Sequence, residues 1–244
     1  MKHYWINIDN RTDRKEYMKE QFDKFNIPNE RISATTPDTI DNYKINYYDG
    51  KVRTMPEYSC LISHFNAIKK GYEDGDEYFC ITEDDFFLPY KINFDKILKY
   101  IKDTDEKIEI LQLHSSNHEI IQKLYNEFII TNNFLVKRTD EFVKAHGCIY
   151  YLISREGAKK LLDKYILENN LIDLNFHDLC VSDYLLYMSV NTYILSYPII
   201  LLNVNLGTNI IQGNTPVYQF IYMENGNNII KNIWQKNNLF NYLT

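Results

Sequence analysis

The chain reads Tyr78-Phe79-Cys80-Ile81-Thr82-Glu83-Asp84-Asp85-Phe86-Phe87 where an apolar run meets three consecutive carboxylates. The first half is short and rich in aromatic and β-branched residues, which predicts a buried β-strand. Three adjacent anions at the end of a buried strand repel one another and are costly to remove from water. A divalent cation would relieve both costs, because Mg²⁺ and Mn²⁺ prefer oxygen ligands.

The position of this acidic triplet (Glu83, Asp84 and Asp85) also favours a binding site. In open α/β sheets, ligands bind beyond the carboxyl ends of the strands, which is where the triplet would lie. A solvated acidic turn that closes the strand is the other interpretation. The triplet alone leaves both open, since so short a motif often occurs by chance.

The segments on either side of the triplet alternate between short apolar runs typical of strands and the three-to-four-residue apolar spacing typical of helices. Further strands are predicted at 4–8, 31–34, 108–113, 148–153 and 192–197. Helices are predicted after a cap at Asn10 or Thr12, at 57–68, at 93–101, after Ser154, and from Ser182 or Asp183. This alternation predicts one α/β domain over residues 1–244, with a Rossmann-like, mostly parallel central sheet flanked by helices.

Three segments do not follow the alternation. Residues 35–56 are polar and aromatic without a clear period, which predicts a long flexible loop or a lid. Two short apolar runs at 128–130 and 134–136 flank Asn132-Asn133 and are interpreted as a hairpin. The segment 207–244 is rich in Asn and Gln and is expected to be irregular, with an amphipathic piece near 229–234.

Charge and cysteine content narrow the class of protein. The 27 basic and 33 acidic side chains give a net charge of −6, and no long Lys/Arg block occurs. Duplex nucleic-acid binding is therefore disfavoured, although a local site for one nucleotide needs only a few arginines. The four cysteines are far apart with no CxxC pair, so free thiols are expected rather than a zinc site.

The apolar runs predict no membrane segment. The longest, from Tyr197 to Val204, is far below the roughly 20 residues that cross a bilayer. The first residues form too short an apolar run for a signal peptide. These patterns favour a cytoplasmic protein, and they do not indicate its oligomeric state.

Two arginines follow the first predicted strand. Arg11 and Arg14 would lie near a helix N-terminus, where amide and guanidinium groups together favour a phosphate or a carboxylate. The competing interpretation is that both are surface charges paired with Asp9 or Asp13.

His64 also has two interpretations. The helix at 57–68 places it on the apolar stripe, where a hydrogen-bonded core histidine is more common than a ligand or a base.

Several segments together resemble glycosyltransferase family 25, which includes bacterial lipooligosaccharide galactosyltransferases and animal collagen galactosyltransferases. The stretch from Ile6 to Arg14 is similar to the family's N-L-D-R-R-x-D-R start, and Glu83-Asp84-Asp85 is similar to its E-D-D signature. The other matching segments, in family order, are Arg31 to Ala34, Glu57 to Ala67, Gly147 to Leu162 and Asp183. Pro56 and Ser59 replace two glycines of the family pattern.

The resemblance implies a GT-A type fold, a nucleotide-sugar donor, a divalent cation and inversion at the anomeric carbon. It implies UDP-galactose or UDP-glucose as donor and Mn²⁺, or Mg²⁺, as cofactor. Asp85 would be the direct metal ligand, with Glu83 as a second candidate. The residues expected on the nucleotide-sugar side are Asn7, Asp9, Arg11, Arg14, Glu57, Ser63, His64, Glu83 and Asp84. Asp183 would be the base that deprotonates the acceptor hydroxyl, unless it is a plain helix N-cap.

The leading functional prediction is a metal-dependent, inverting transfer of galactose or glucose to a hydroxyl group of a glycan or of hydroxylysine in a collagen-like protein. The first alternative is a catalytically inactive module that binds a nucleotide sugar or a glycan. A nucleotidyltransferase is a third possibility, but such an enzyme would carry a Gly-rich phosphate loop. No GxGxxG or Walker A pattern occurs in the sequence.

Overall fold

A computed structural model of the chain describes residues 1–46, 53–168, 171–175, 181–196, 199–207 and 217–237. The strands are β1 (His3–Asn7), β2 (Asn29–Ser33), β3 (Lys44–Asn46), β4 (Tyr78–Thr82), β5 (Phe86–Phe87), β6 (Ile110–Gln112), β7 (Leu135–Lys137), β8 (Tyr150–Ser154), β9 (Ile166–Leu167), β10 (Leu171–Asp173), β11 (Thr192–Leu195) and β12 (Leu201–Leu202). The helices are α1 (Thr12–Phe25), α2 (Met55–Asp74), α3 (Phe94–Lys102), α4 (His118–Thr131), α5 (Arg155–Tyr165), α6 (Ser182–Met188) and α7 (Val217–Asn237).

A seven-stranded sheet with the order β2-β1-β4-β8-β6-β11-β7 forms the centre of the fold. The pairings β1–β2, β1–β4 and β6–β11 are parallel, whereas β8 is antiparallel to β4 and β6, and β7 is antiparallel to β11. Five of the seven strands therefore run in one direction. This arrangement confirms the α/β fold class and the mostly parallel sheet.

Helices cover both faces of this sheet, as parallel strands require. Successive side chains of a strand point to opposite faces, so Phe79 and Ile81 of β4 pack with α2, α5 and α6, while Cys80 packs with α1, α3 and α7. Both layers are apolar, and β4 is buried on each side. No helix in the described ranges has an apolar stretch long enough to cross a membrane.

Two helices, α3 and α5, begin at side-chain caps at the positions that the sequence predicted. The Ser154 hydroxyl accepts a hydrogen bond from the Gly157 amide at 3.0 Å and begins α5. The Asn93 side chain accepts from the Lys96 amide at 3.1 Å and begins α3. Cys60, Cys80 and Cys148 carry free thiols, as expected, and Cys180 lies outside the described residues.

The hairpin expected around Asn132-Asn133 is wrong. Residues 118–131 form α4, and Asn132 ends it in the left-handed conformation with φ of 55°. Within the apolar run at 128–130, Phe128 is buried, whereas Ile129 and Ile130 are 58% and 79% exposed, so the run does not form a buried strand. The helical spacing of Ile120, Ile121, Leu124 and Phe128, which form the buried face of α4, was the stronger signal.

Two segments expected to be irregular contain regular structure. Within 35–56, residues Ile40–Asn42 form a 3₁₀ turn, β3 pairs in parallel with β10, and α2 begins at Met55; residues 47–52 lie outside the described ranges. Within 207–244, residues 217–237 form α7, although 208–216 and 238–244 are not described. The polar composition of α7 is offset by packing, because Ile230, Ile233 and Trp234 are buried against the sheet layer.

The close approach of α5 to the strand edge depends on a glycine. A Cβ atom at Gly157 would lie 2.8 Å from the backbone oxygen of Glu109, just before β6. Since a backbone atom cannot rotate away, we expect Gly157→Ala to cost about 1–3 kcal/mol of unfolding free energy, measured by urea denaturation. The matched control is Gly226→Ala in α7, where the nearest atoms would be 3.6 and 3.7 Å away. Equal stability of the two variants would contradict this account of the packing.

Candidate active site

The carboxyl ends of the parallel strands meet at one edge of the sheet. Asn7 ends β1, the acidic triplet follows β4, and His114 follows β6. Residues 147–149, which directly precede the antiparallel strand β8, come to the same edge. The topology therefore gathers polar side chains from separate parts of the sequence beside the triplet.

Two cavities open at this edge. The larger has a volume of about 280 Å³ and is lined by Glu57, Cys60, Glu83, Asp85, His114 and Asp183, among others. The smaller has a volume of about 110 Å³ and is lined by Asn7, Arg14, Ser63, His64 and Asp84, among others. Cys60, Glu83 and Asp85 line both cavities, so the two meet at the triplet.

The three carboxylates of the triplet have different partners. Asp84 is buried, pairs with the Nη1 atom of Arg14, and accepts a hydrogen bond from Asn7 Nδ2 at 2.7 Å. Burial raises the pKa of Asp84, while the Arg14 charge and the Asn7 hydrogen bond oppose the rise. Asp84 therefore joins β4 to β1 and α1 from inside the protein.

Glu83 turns toward α2 instead. Its Oε1 atom lies 3.3 Å from Nε2 of His64, whose Nδ1 lies 3.2 Å from the Tyr151 hydroxyl. His64 is fully buried, so the apolar-stripe position was correctly expected. The contact with Glu83 nevertheless connects this core histidine to the triplet.

Among the three carboxyl groups of the triplet, Asp85 has a pKa that its surroundings raise to a large extent. Its Oδ1 atom is buried without a hydrogen-bond partner among the described residues, and its Oδ2 atom lies 3.7 Å from Arg14 Nη1. Burial, together with the negative charges of Glu83 and Asp84, raises the pKa of Asp85 to about 8. An unsatisfied buried oxygen amid like charges is a site that a cation would stabilise, so the residues present fit the divalent metal that the resemblance implies.

Asp183 approaches the larger cavity from the start of α6. The helix begins after Val181, so the expectation that Asp183 is the N-cap is wrong. Its Oδ2 atom accepts a hydrogen bond from the Gly147 amide at 2.9 Å and lies 3.6 Å from His146 Nδ1. Burial alone would raise the pKa of Asp183, but these two contacts and the charge of Arg138 outweigh it and hold the pKa below its usual value. Asp183 is therefore ionised at neutral pH.

The two arginines are engaged within the protein. Arg14 is 3% exposed, and in addition to Asp84 it donates from Nη2 to the Gly207 carbonyl at 2.6 Å. Arg11 pairs with Asp13 and donates to the Leu206 carbonyl at 3.2 Å. The pairing of Arg11 with Asp13 is the one foreseen for surface charges, whereas Arg14 lines the smaller cavity.

Of the remaining candidates from the sequence, Ser63 and Glu57 each line one of the two cavities, whereas Asp9 lines neither. Ser63 holds the segment after β2, donating to the Ser59 carbonyl at 2.7 Å and accepting from the Thr35 amide at 2.9 Å. Glu57 accepts from the Thr54 amide at 2.8 Å in a capping box at the start of α2 and also lines the larger cavity. Asp9 is exposed and pairs with Arg31, and neither cavity includes Asp9 or Arg11 among its lining residues.

His114 was not predicted from the sequence. Its Nδ1 atom lies 3.0 Å from the Ile200 carbonyl, which can only accept, so Nδ1 carries the hydrogen and Nε2 the lone pair. Burial lowers the pKa of His114 to about 4, and Nε2 has no partner among the described residues. This neutral acceptor lines the larger cavity. Its position directly after the predicted strand at 108–113 is the signal that could have found it.

The sequence of the chain is similar to a family model and to several known proteins. A family model described as glycosyltransferase family 25 (LPS biosynthesis protein) matches residues 1–174. A Haemophilus influenzae protein with a provisional glycosyltransferase name is 26% identical over 188 residues, covering 75% of this chain and 63% of that protein. The Haemophilus influenzae lipooligosaccharide biosynthesis protein lic2B is 27% identical over 170 residues, covering 65% of this chain and 61% of that protein.

A similar relation holds for an animal protein. A glycosyltransferase 25 family member from Aedes aegypti is 25% identical over 178 residues, covering 68% of this chain and 28% of that protein. The chain thus spans less than two thirds of the length of each of these curated relatives.

Proposed function

Because the chain belongs to glycosyltransferase family 25, we propose that it transfers galactose or glucose from a UDP-sugar to a hydroxyl group of an acceptor. The observation that carries this proposal is Asp85, which lines a cavity at the carboxyl edge of the sheet and whose buried Oδ1 atom has no hydrogen-bond partner among the described residues. A carboxylate with one oxygen left unsatisfied in such a place suits a cation that accompanies a diphosphate. The acceptor would be a glycan or a hydroxylysine side chain.

The proposed metal site consists of Asp85 and Glu83. Bound there, Mn²⁺ or Mg²⁺ would neutralise the negative charge that develops on the leaving diphosphate. Among the described residues that line the two cavities, the one Arg or Lys side chain is Arg14, which is already paired with Asp84. The proposal therefore requires that donor binding depend strongly on the divalent cation.

The proposed reaction is a single inverting displacement. The acceptor oxygen forms a bond to the anomeric carbon as the bond from that carbon to the phosphate oxygen breaks, and the diphosphate leaves with the bonding electrons. Asp183, which lines the same cavity as Asp85, takes the hydroxyl proton. His114 Nε2 can accept a hydrogen bond from a sugar hydroxyl and thereby orient it.

A donor screen tests this proposal. UDP-glucose, UDP-galactose, and GDP- and CMP-sugars are added to the protein with and without Mn²⁺, and thermal unfolding is recorded. A ligand at a hundredfold excess over its Kd stabilises by about 2.7 kcal/mol, so a true donor should be evident. Stabilisation by a UDP-sugar that requires Mn²⁺ supports the proposal, and the absence of stabilisation by any nucleotide sugar would overturn it.

The same screen distinguishes the alternative function. The stabilising donor is incubated with Mn²⁺ and a panel of glycan and hydroxylysine acceptors, and released UDP is measured. Binding without UDP release across the panel would identify a nucleotide-sugar-binding module instead of an enzyme. We expect release that depends on the acceptor.

The role of Asp183 gives a further prediction. Asparagine keeps an oxygen that can accept from the Gly147 amide, so Asp183→Asn should preserve the fold while removing the base. We expect the single-turnover rate to fall by about 10²–10⁴-fold with the Kd for UDP unchanged. His146→Gln removes the neighbouring contact but keeps the carboxylate, and should retain most of the rate. A full rate in Asp183→Asn would assign Asp183 a purely structural role.

A further inference from the structure

Three side chains with different ligand atoms converge between α2 and the end of β4. Cys60 and His64 are four residues apart on α2, which puts them on one face of the helix. Glu83 approaches this face from the sheet edge. The thiol sulfur, a ring nitrogen and a carboxylate oxygen of these residues all lie within 4.8 Å of one another.

The spacing is close to that of a metal site. Around a tetrahedral Zn²⁺ ion, with bonds of about 2.0–2.3 Å, neighbouring ligand atoms lie roughly 3.3–3.6 Å apart. His64 Nε2 and Glu83 Oε1 already have this separation, at 3.3 Å. The Cys60 sulfur lies within 4.8 Å of both atoms, so a shift of at most about 1 Å brings it to this spacing, which a modest side-chain rotation supplies.

The surrounding groups support ligation by holding the ligand side chains. The Tyr151 hydroxyl lies 3.2 Å from His64 Nδ1 and can fix the ring with Nε2 toward Glu83. The Ser182 hydroxyl donates to the Cys60 sulfur at 3.3 Å. The Glu83 carboxylate accepts, so in the metal-free arrangement Nε2 carries the ring hydrogen and Nδ1 accepts from the Tyr151 hydroxyl. On ligation the ring changes tautomer: Nε2 gives its hydrogen to solvent, Nδ1 takes one from solvent, and Nδ1–H then donates to the Tyr151 oxygen.

The charge around the thiol favours a cation. The carboxylates of Glu83, Asp85 and Asp183 line the same cavity as the Cys60 thiol. On ligation the thiol releases its proton to solvent, because the thiolate is the form that binds a metal. The neighbouring carboxylates attract the cation that stabilises this thiolate.

We propose that Cys60, His64 and Glu83 form a second metal site, selective for a thiophilic cation of the Zn²⁺ class. Thiolate and imidazole ligands favour Zn²⁺ over Mn²⁺ or Mg²⁺, which prefer oxygen. With three protein ligands, the fourth position is open, and Cys60 and Glu83 both line the larger cavity. Glu83 is common to this site and to the proposed Mn²⁺ site, so occupancy by Zn²⁺ weakens Mn²⁺ binding.

The test uses metal binding by the full chain without any sugar donor. Co²⁺ is titrated into the protein, and a thiolate-to-metal charge-transfer band in the near ultraviolet reports a cobalt–sulfur bond. Zn²⁺ is then added to displace the cobalt and bleach the band. In Cys60→Ser we expect the band to be absent and Zn²⁺ to bind about 100-fold more weakly or worse.

Cys148→Ser is the matched control, because Cys148 is a buried thiol that lines the same cavity. We expect it to keep both the band and the Zn²⁺ affinity. Loss of the band in Cys148→Ser, or its persistence in Cys60→Ser, would overturn the proposal. Thermal unfolding of each variant without metal verifies that the variant is folded.

A measurement on the unaltered protein covers the case in which Cys60→Ser does not fold. X-ray absorption at the zinc edge should show one sulfur neighbour at about 2.3 Å together with nitrogen or oxygen neighbours. A shell of nitrogen and oxygen alone would overturn the proposal. The result is independent of the transferase assay, since the Zn²⁺ site can exist in a protein that transfers no sugar.

Discussion

Replacement of Asp85 by asparagine is expected to abolish Mn²⁺-dependent release of UDP from a UDP-sugar while raising the thermal unfolding temperature of the metal-free protein. Function is lost because the neutral amide is a poor ligand for a hard cation. Stability is gained because the substitution removes a carboxyl group that must either take up a proton or bury a negative charge beside Glu83 and Asp84 when the chain folds. The measurements are a UDP-release assay and thermal unfolding with and without Mn²⁺.

The pKa of Asp85 also predicts a pH dependence. The value of about 8 in the folded protein exceeds the ordinary value of 3.8, so between these pH values the folded state binds more protons than the unfolded chain. The free energy of unfolding of the metal-free protein should therefore fall as pH rises through this range. The apparent Mn²⁺ affinity should rise, by about tenfold per pH unit, and level off above the pKa.

Asp105→Asn serves as the control, because Asp105 is exposed and lies outside both cavities. It should alter neither turnover nor the pH dependence. In Asp85→Asn, we expect the pH slope of Mn²⁺ affinity to disappear together with the stabilisation by Mn²⁺. Normal turnover in Asp85→Asn would remove the basis of the proposed metal site and of the proposed donor chemistry.

Replacement of Arg14 by methionine is expected to cause the largest loss of stability. The side chains of Arg14 and Asp84 are 4% and 6% exposed, so removing the guanidinium leaves an unpaired carboxylate inside the protein. Breaking a buried pair in this way costs about 3–5 kcal/mol. The variant also loses the hydrogen bond to the Gly207 carbonyl, which holds residues 204–207 beside the larger cavity. Urea denaturation measures the loss.

Arg11→Met is the matched control for Arg14→Met. Both arginines lie at the start of α1 and both donate to the Leu206 carbonyl, but Arg11 pairs with Asp13, whose side chain is 58% exposed. A surface pair contributes about 0–1 kcal/mol, so this variant should be nearly as stable as the unaltered protein. The double variant Arg14→Met/Asp84→Asn should recover much of the lost stability, because the unpaired charge is gone. Similar costs for Arg11→Met and Arg14→Met would contradict the assigned role of the buried pair.

Local patterns in the sequence were sufficient for the centre of the fold. The apolar run from Tyr78 to Thr82 forms β4, as predicted, and the acidic triplet follows it at the sheet edge. Caps at Asn93 and Ser154 begin α3 and α5 because their side chains bond amides a few residues away, which is a local interaction. Alternation of strands and helices was enough to predict the α/β class.

The predictions that were wrong concern segments whose structure depends on packing against distant parts of the chain. The run at 128–130 looked like a strand because a short apolar run does not distinguish a strand from part of a helix. The segment 217–237 has few helix-favouring residues, and its helix is stabilised by burying Trp234 and its neighbours against the rest of the protein. Asp183 resembled an N-cap, but the Gly147 amide from another part of the chain binds its carboxylate.

The contrast between local sequence pattern and long-range packing also applies to the three carboxylates of the acidic triplet. The sequence was enough to establish that three carboxylates follow a buried strand, since a run of residues along one chain is a local property. Only the tertiary structure could assign Asp84 to Arg14 and Glu83 to His64, and could show that Asp85 lines the cavities with an Oδ1 atom that no described residue bonds. These assignments depend on which side chains α1, α2 and β6 bring to the sheet edge, and long-range packing sets that arrangement.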